Sequence, residues 1–207
     1  MDHARVHLIS TALPIFGKKG FEGASTRELA KAAGRPMSAI TYHFSGKEGL
    51  YLACAEHIRD TLGGFIAAAV DQQHRAGTPT PEQAKQQLAE LFRIITAAML
   101  GETADIARFM LREQQEPTQA FDIIYTGIMG RVLGRMVELL KIVADERLTE
   151  VEVRLRVISL MGQVLVFRMA HAALLRLTGW ENMGAVERDL IDRAVQDNLR
   201  CILDGLS

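Results

Sequence analysis

The chain has little of what builds disulfide frameworks, membrane spans or metal centres. Its 207 residues include only two cysteines, Cys54 and Cys201, far apart and with no CxxC or Cys/His ligand spacing. That excludes a cysteine-stapled scaffold and the common zinc modules. No apolar run approaches the roughly 18–20 uncharged residues needed to cross a bilayer; the most apolar stretch, 160–175, is interrupted by Gln163, Arg168 and His171. The opening residues, Met1-Asp2-His3-Ala4-Arg5, lack the apolar core of a secretion signal. A cytoplasmic protein with no membrane partner is the expectation. Also missing are HExxH, GxSxG, a glycine-rich phosphate loop and a Cys/His nucleophile pair, so no enzyme and no cofactor are expected. His3 and His7 stand at i and i+4, the spacing of a metal pair, but in a terminus that frays, and no metal is expected.

What is present is charge asymmetry and helical periodicity. Residues 1–47 carry seven Lys/Arg against three acids, a balance of +4; the whole chain is −1, which leaves −5 for the remainder. A basic segment on an acidic body fits a polyanion-binding module at one end, although a solvated face can look the same. Apolar residues recur every 3–4 positions throughout and no alternating strand appears, so the fold class is all-α. The first helix is expected over 5–16, kinked at Pro14 and stopped by Gly17 and Gly20. Ser25-Thr26-Arg27-Glu28 forms a capping box that starts a second helix ending at Gly34. Pro36 opens a short third helix to Tyr42. A long fourth begins near Lys47 and carries Leu50, Leu52, Ile58, Leu62 and Phe65. After an expected loop over 71–81, amphipathic helices follow at about 82–100, 103–115, 118–142, 149–177 and 184–204.

Two short helices around a tight turn in a basic segment form a helix-turn-helix. Its first helix crosses the phosphate backbone, so Ser25, Thr26, Arg27 and the turn residue Arg35 are phosphate-side candidates. Its second helix enters the major groove, where Met37, Ser38, Thr41 and Tyr42 are the base-edge candidates, with Ile40 and Phe44 facing the core. His43 and Lys47 flank the groove as phosphate ligands. A purely structural corner, or a helical adaptor that binds protein, are the competing readings.

These stretches also carry a resemblance. Residues 16–21 (FGKKGF), 25–34 (STRELAKAAG), 40–44 (ITYHF) and 47–50 (KEGL) closely resemble the DNA-binding domain of the TetR/AcrR repressors, over roughly residues 5–58. The resemblance implies an all-helical homodimer that binds a palindromic duplex and releases it when a small molecule enters the C-terminal domain. It also assigns Arg27, Tyr42, His43 and Lys47 to DNA contact. Two positions depart from the pattern: Arg35 stands where an aliphatic residue is usual, and Thr41 where an aromatic is usual. Both bear on which operator is read. The stretches at 112–118 and 162–168 are similar to the CecR-like C-terminal domain of one subgroup.

The expected organisation is therefore a helix-turn-helix domain (1–47) joined through the fourth helix to a ligand-binding and dimerisation domain (48–207). Dimerisation is assigned to apolar stripes on the last two long helices: Val157, Leu160, Met161 and Val164, and then Glu187, Leu190, Ile191, Ala194, Val195, Asn198 and Ile202. Intramolecular packing is the competing explanation. Polar residues stranded on apolar faces mark a pocket for an effector of unreadable identity: Arg108, Arg112, Tyr125, Gln163, Arg168 and His171. A structural partner, such as Glu113 or Asp122 for Arg112, would account for them equally well. Met99, Phe109, Met110, Phe121, Met129 and Met136 are either an adaptable lining or core.

Overall fold

The computed structural model describes residues 3–101 and 104–206. Among them there is no strand. The helices are α1 (His3–Gly23), α2 (Thr26–Ala32), α3 (Met37–Phe44), α4 (Lys47–Arg75), α5 (Pro81–Leu100), α6 (Ala104–Gln115), α7 (Gln119–Ile124), a π-turn (Tyr125–Met129), α8 (Gly130–Ala144), α9 (Glu150–Met169), α10 (His171–Thr178) and α11 (Ala185–Asp204). They gather into two compact units: 3–64 with 104–129, and 65–101 with 130–206. No single described helix is long and apolar enough to cross a membrane.

In the first unit, α1 buries Leu8, Ala12, Leu13 and Phe16. The helix runs on through Pro14, and its kink falls at Gly20, where φ is 75°. Gly17 does not stop the helix as expected. It is the point where α6 comes closest: a Cβ there would sit 3.1 Å from the Asp105 carbonyl oxygen and 3.3 Å from the Arg108 Cβ. A glycine serves because α1 and α6 touch backbone to backbone. Gly20 gives similar room to the Arg112 guanidinium, whose Nη1 would lie 2.8 Å from an added Cβ.

A buried polar knot ties this unit together. Tyr51 Oη on α4 donates to Glu113 Oε1 on α6 at 2.5 Å. Glu113 Oε2 accepts from the Thr118 amide at 3.0 Å and its hydroxyl at 2.9 Å. Thr118 in turn caps α7 by accepting from the Ala120 amide. Glu113 is buried, so these three donors stand in for lost water. Burial pushes the Tyr51 phenol well above its usual range, and the hydrogen bond and negative charge of Glu113 push the same way. Burial likewise pushes the Cys54 thiol up, which leaves it protonated and unreactive.

The second unit packs α5 against α8, α9 and α11. Capping boxes start two of its helices: Thr80 with Gln83 for α5, and Thr149 with Glu152 for α9. Arg135, almost fully buried, donates to Gln87 at 2.8 Å and to Glu138 at 3.0 Å, and so avoids an uncompensated buried charge. Three expected boundaries differ. Helix α4 continues to Arg75, so the loop is only 76–80. The helix expected over 118–142 is interrupted by the π-turn, where the backbone of Gly127 passes so close to Arg59 that an added Cβ would meet its side chain. The helix expected over 149–177 breaks at Ala170 (φ −96°, ψ 28°), and α9 and α10 diverge by 76°.

Candidate nucleic-acid interface

The α2–α3 pair is built from its termini inward. Ser25 caps α2 by accepting from the Glu28 amide at 3.1 Å. The reciprocal half of the expected capping box is absent, because the Glu28 carboxylate instead takes Lys19 at 2.6 Å. Gly34 ends the turn in the left-handed region at φ 61°, a conformation that favours glycine. Pro36 lies just outside α3 as its N-cap, and the helix runs from Met37 to Phe44, starting one place later and ending two places later than expected.

Helical spacing then sorts α3 by face. Ile40 and Phe44 are buried against the unit's core. Met37, Ser38, Thr41 and Tyr42 are all exposed, Tyr42 at 85%. Around this face Ser25, Arg27 and Arg35 are exposed and Thr26 is half-buried. Arg27, Lys31 and Arg35 enter no ion pair among the described residues.

Two basic residues are spent inside instead. Lys47 Nζ donates to the Phe21 carbonyl at 2.9 Å and sits 4.2 Å above the Phe21 ring. Its first role is therefore to lock the start of α4 onto the end of α1. Arg5, which the sequence did not single out, donates to the His43 carbonyl at 3.0 Å and lies 4.7 Å over the Phe44 ring. It pins the end of α3 through a charge-assisted bond and a cation–π contact. The His43 ring packs edge-on to Tyr42 at 4.9 Å.

The expected pocket residues divide between the two units. In the first, Arg108 is exposed and pairs with Asp105 at 2.9 Å. Arg112 rests against Gly20 and is not paired with Glu113, whose oxygens are taken by Tyr51 and Thr118. Tyr125 opens the π-turn, partly exposed and stacked on Phe121 at 5.6 Å. In the second unit, Arg168 donates to the Gly101 carbonyl at 3.3 Å. Gln163 Oε1 and His171 Nδ1 are buried without a hydrogen-bond partner. Met99, Phe109 and Met136 belong to the buried core.

The expected dimerisation stripe also divides by face. Val157, Leu160, Val164, Ile191 and Val195 are buried in their own unit and cannot meet a partner. Met161, Glu187 and Ile202 are half-buried, whereas Leu190, Ala194 and Asn198 are exposed. The sequence reading missed the outward residues Val151, Leu155, Ile158, Val166 and Val186, all exposed apolar side chains on α9 and α11.

With this geometry in place, comparison with known proteins defines the class. The family model described as bacterial regulatory proteins, tetR family, matches residues 8–54, and that of the C-terminal domain of the HTH-type transcriptional dual regulator CecR matches residues 84–206. The chain belongs to the TetR family of DNA-binding transcriptional regulators and carries the CecR-type C-terminal domain. The family is one of regulators, not enzymes. Among its relatives is the HTH-type transcriptional dual regulator CecR of Shigella flexneri, 31% identical over all of this chain and 94% of that protein. Its fold is similar to that of AibR, solved in complex with isovaleryl coenzyme A and operator DNA (TM-score 0.71, 17% identity, covering 94% of this chain and 96% of that one). It is also similar to FadR of Bacillus subtilis, solved with stearoyl-CoA (TM-score 0.62, 18% identity, covering 94% and 96%).

Proposed function

We propose that this regulator is a cytoplasmic homodimeric repressor that occupies a palindromic operator and leaves it when a small-molecule effector binds. The observation that carries the reading is the outer face of α3, where Met37, Ser38, Thr41 and Tyr42 stand exposed around a buried Ile40 and Phe44. Those four meet base edges in the major groove, while Arg27, Arg35 and the N-terminal turn of the helix-turn-helix, with Ser25 and Thr26, meet phosphates. His43 and Lys47 contribute at the edge, Lys47 with whatever donor capacity Phe21 leaves it.

Residues 1–47 read DNA, and 48–207 bind effector and partner. The dimeric reading is supported by α9 and α11, whose outer faces leave Ile158, Val186 and Leu190 exposed at 59%, 69% and 45%. Two reading heads related by a two-fold axis span half-sites about 34 Å apart. The effector reading is supported by the unpartnered Gln163 Oε1 on α9 and His171 Nδ1 on α10. An effector acts only through its differential affinity for the DNA-bound and released conformations. Footprinting on the duplex immediately upstream of the chain's own gene tests the proposal. Two symmetric protected half-sites that disappear on adding cell metabolite extract are expected; a single unsymmetric footprint contradicts the dimeric reading.

A further inference from the structure

A cleft of about 380 Å³ lies in the second unit between the later part of α5 and the start of α11. Its walls include Arg93, Thr96, Ala97 and Leu100 from α5, and Arg188 and Asp192 from α11. Gly101, whose carbonyl accepts from Arg168, also lines it; no wall residue belongs to the reading head, and neither Gln163 nor His171 is among them. Two of the wall's polar atoms are buried and have no partner: the Thr96 hydroxyl, on a residue 1% exposed, and Asp192 Oδ1. Native proteins rarely leave such atoms unpaired, because the interactions they had with water are lost without replacement. The volume equals about a dozen waters, more than two orphaned atoms call for.

The charges around those atoms define the missing partner. Asp192 Oδ2 stands 4.0 Å from Arg93 Nε, too far for a hydrogen bond, so each keeps capacity for something between or beside them. Arg188 enters no ion pair among the described residues. Asp189, also on the rim, brings the lining to two arginines and two aspartates, so the cleft has no net charge. A neutral molecule carrying both signs is favoured there over an anion or a cation. Its positive group would donate to Asp192 Oδ1 and Thr96 Oγ1, and its carboxylate would accept from Arg93 and Arg188. The short Arg93–Asp192 spacing matches an ammonium and a carboxylate on one carbon. Ala97 and Leu100 supply an apolar wall for a short aliphatic side chain.

We propose that this cleft is a binding site for a free α-amino acid with an aliphatic side chain, joined to the proposed effector residues only through the Arg168–Gly101 hydrogen bond. The full chain, isotope-labelled for NMR, is titrated with L-leucine and then with each other proteinogenic amino acid. Saturable shifts of the Thr96, Ala97, Leu100 and Asp192 amide signals are expected. N-acetyl-L-leucine, lacking the ammonium, and L-leucine methyl ester, lacking the carboxylate, should each bind at least about tenfold more weakly. Asp192→Asn and Thr96→Val should each weaken binding by about tenfold while circular dichroism and DNA affinity stay unchanged. The proposal is overturned if no amino acid shifts these signals saturably, or if the acetylated and esterified compounds bind as tightly. Tighter binding of L-leucylglycine than of any free amino acid would also overturn it, in favour of short peptides.

Discussion

At the level of single residues, the reading head depends on which charges turn inward and which stay outside. Arg5 and Lys47 are anchored on His43 and Phe21, whereas Arg27 and Arg35 remain free of ion pairs around the exposed Tyr42. Tyr42→Ala is therefore expected to weaken operator binding by about 1–3 kcal/mol with an unchanged melting temperature, read by titration and thermal denaturation. Equal affinity would remove Tyr42 from the contact set. Tyr51 presents the opposite case. Tyr51→Phe leaves one Glu113 oxygen without its donor and should cost about 1–3 kcal/mol in denaturant unfolding. The phenol is held neutral in the folded state, so its contribution is full below the ordinary tyrosine pKa and is lost as pH rises beyond it. The wild type should thus lose stability on the alkaline side more steeply than the variant; parallel pH curves would contradict this. The exposed side chains of α3 could be read from sequence because helical period separates them from Ile40 and Phe44. The inward turn of Lys47 could not, since its partner Phe21 lies 26 residues away and is reached only through the fold.

Among the described elements, α1 packs most extensively on α6, and Gly17 makes their close approach possible. Gly17→Val would drive a branched side chain into the Asp105 carbonyl and force the helices apart, at a cost of about 1–3 kcal/mol in thermal or urea unfolding. An equal or higher melting temperature would show that the two helices tolerate separation. The sequence suggested a stop at Gly17 because glycine commonly ends helices; its other use, close backbone approach, depends on a helix nearly 90 residues further along. The break at Ala170 was equally hidden, with no glycine or proline there to mark it. For α9 and α11 the apolar periodicity identified the right helices but not their faces, since a stripe facing a partner and one facing the core have the same spacing. Ile158→Glu combined with Leu190→Glu places charge on the exposed side only. It should halve the mass seen by light scattering with little loss of helicity. An unchanged mass would exclude this face as the dimer contact.

For the whole molecule, the near-neutral net charge of −1 conceals a reading segment of +4 and a remainder of −5. Such a protein finds DNA by charge and selects its site by contact, so affinity and specificity should respond differently to salt. The helix-turn-helix signature and the family could both be read from sequence, because capping, turn glycine and apolar spacing agree locally there. The pocket proposed around Gln163 and His171 was only half legible: the sequence marks both as polar residues on apolar faces, but atoms such as Gln163 Oε1 are recognisable as orphans only once their surroundings are known. The most direct test is fluorescence anisotropy of the purified chain on labelled duplex from immediately upstream of its gene, with a scrambled duplex and a salt series. Binding should be at least about a thousandfold tighter to the native duplex and should fall steeply with salt, as phosphate neutralisation requires. Equal affinity for the two duplexes, or binding indifferent to salt, would contradict the assignment of the α3 face to operator DNA.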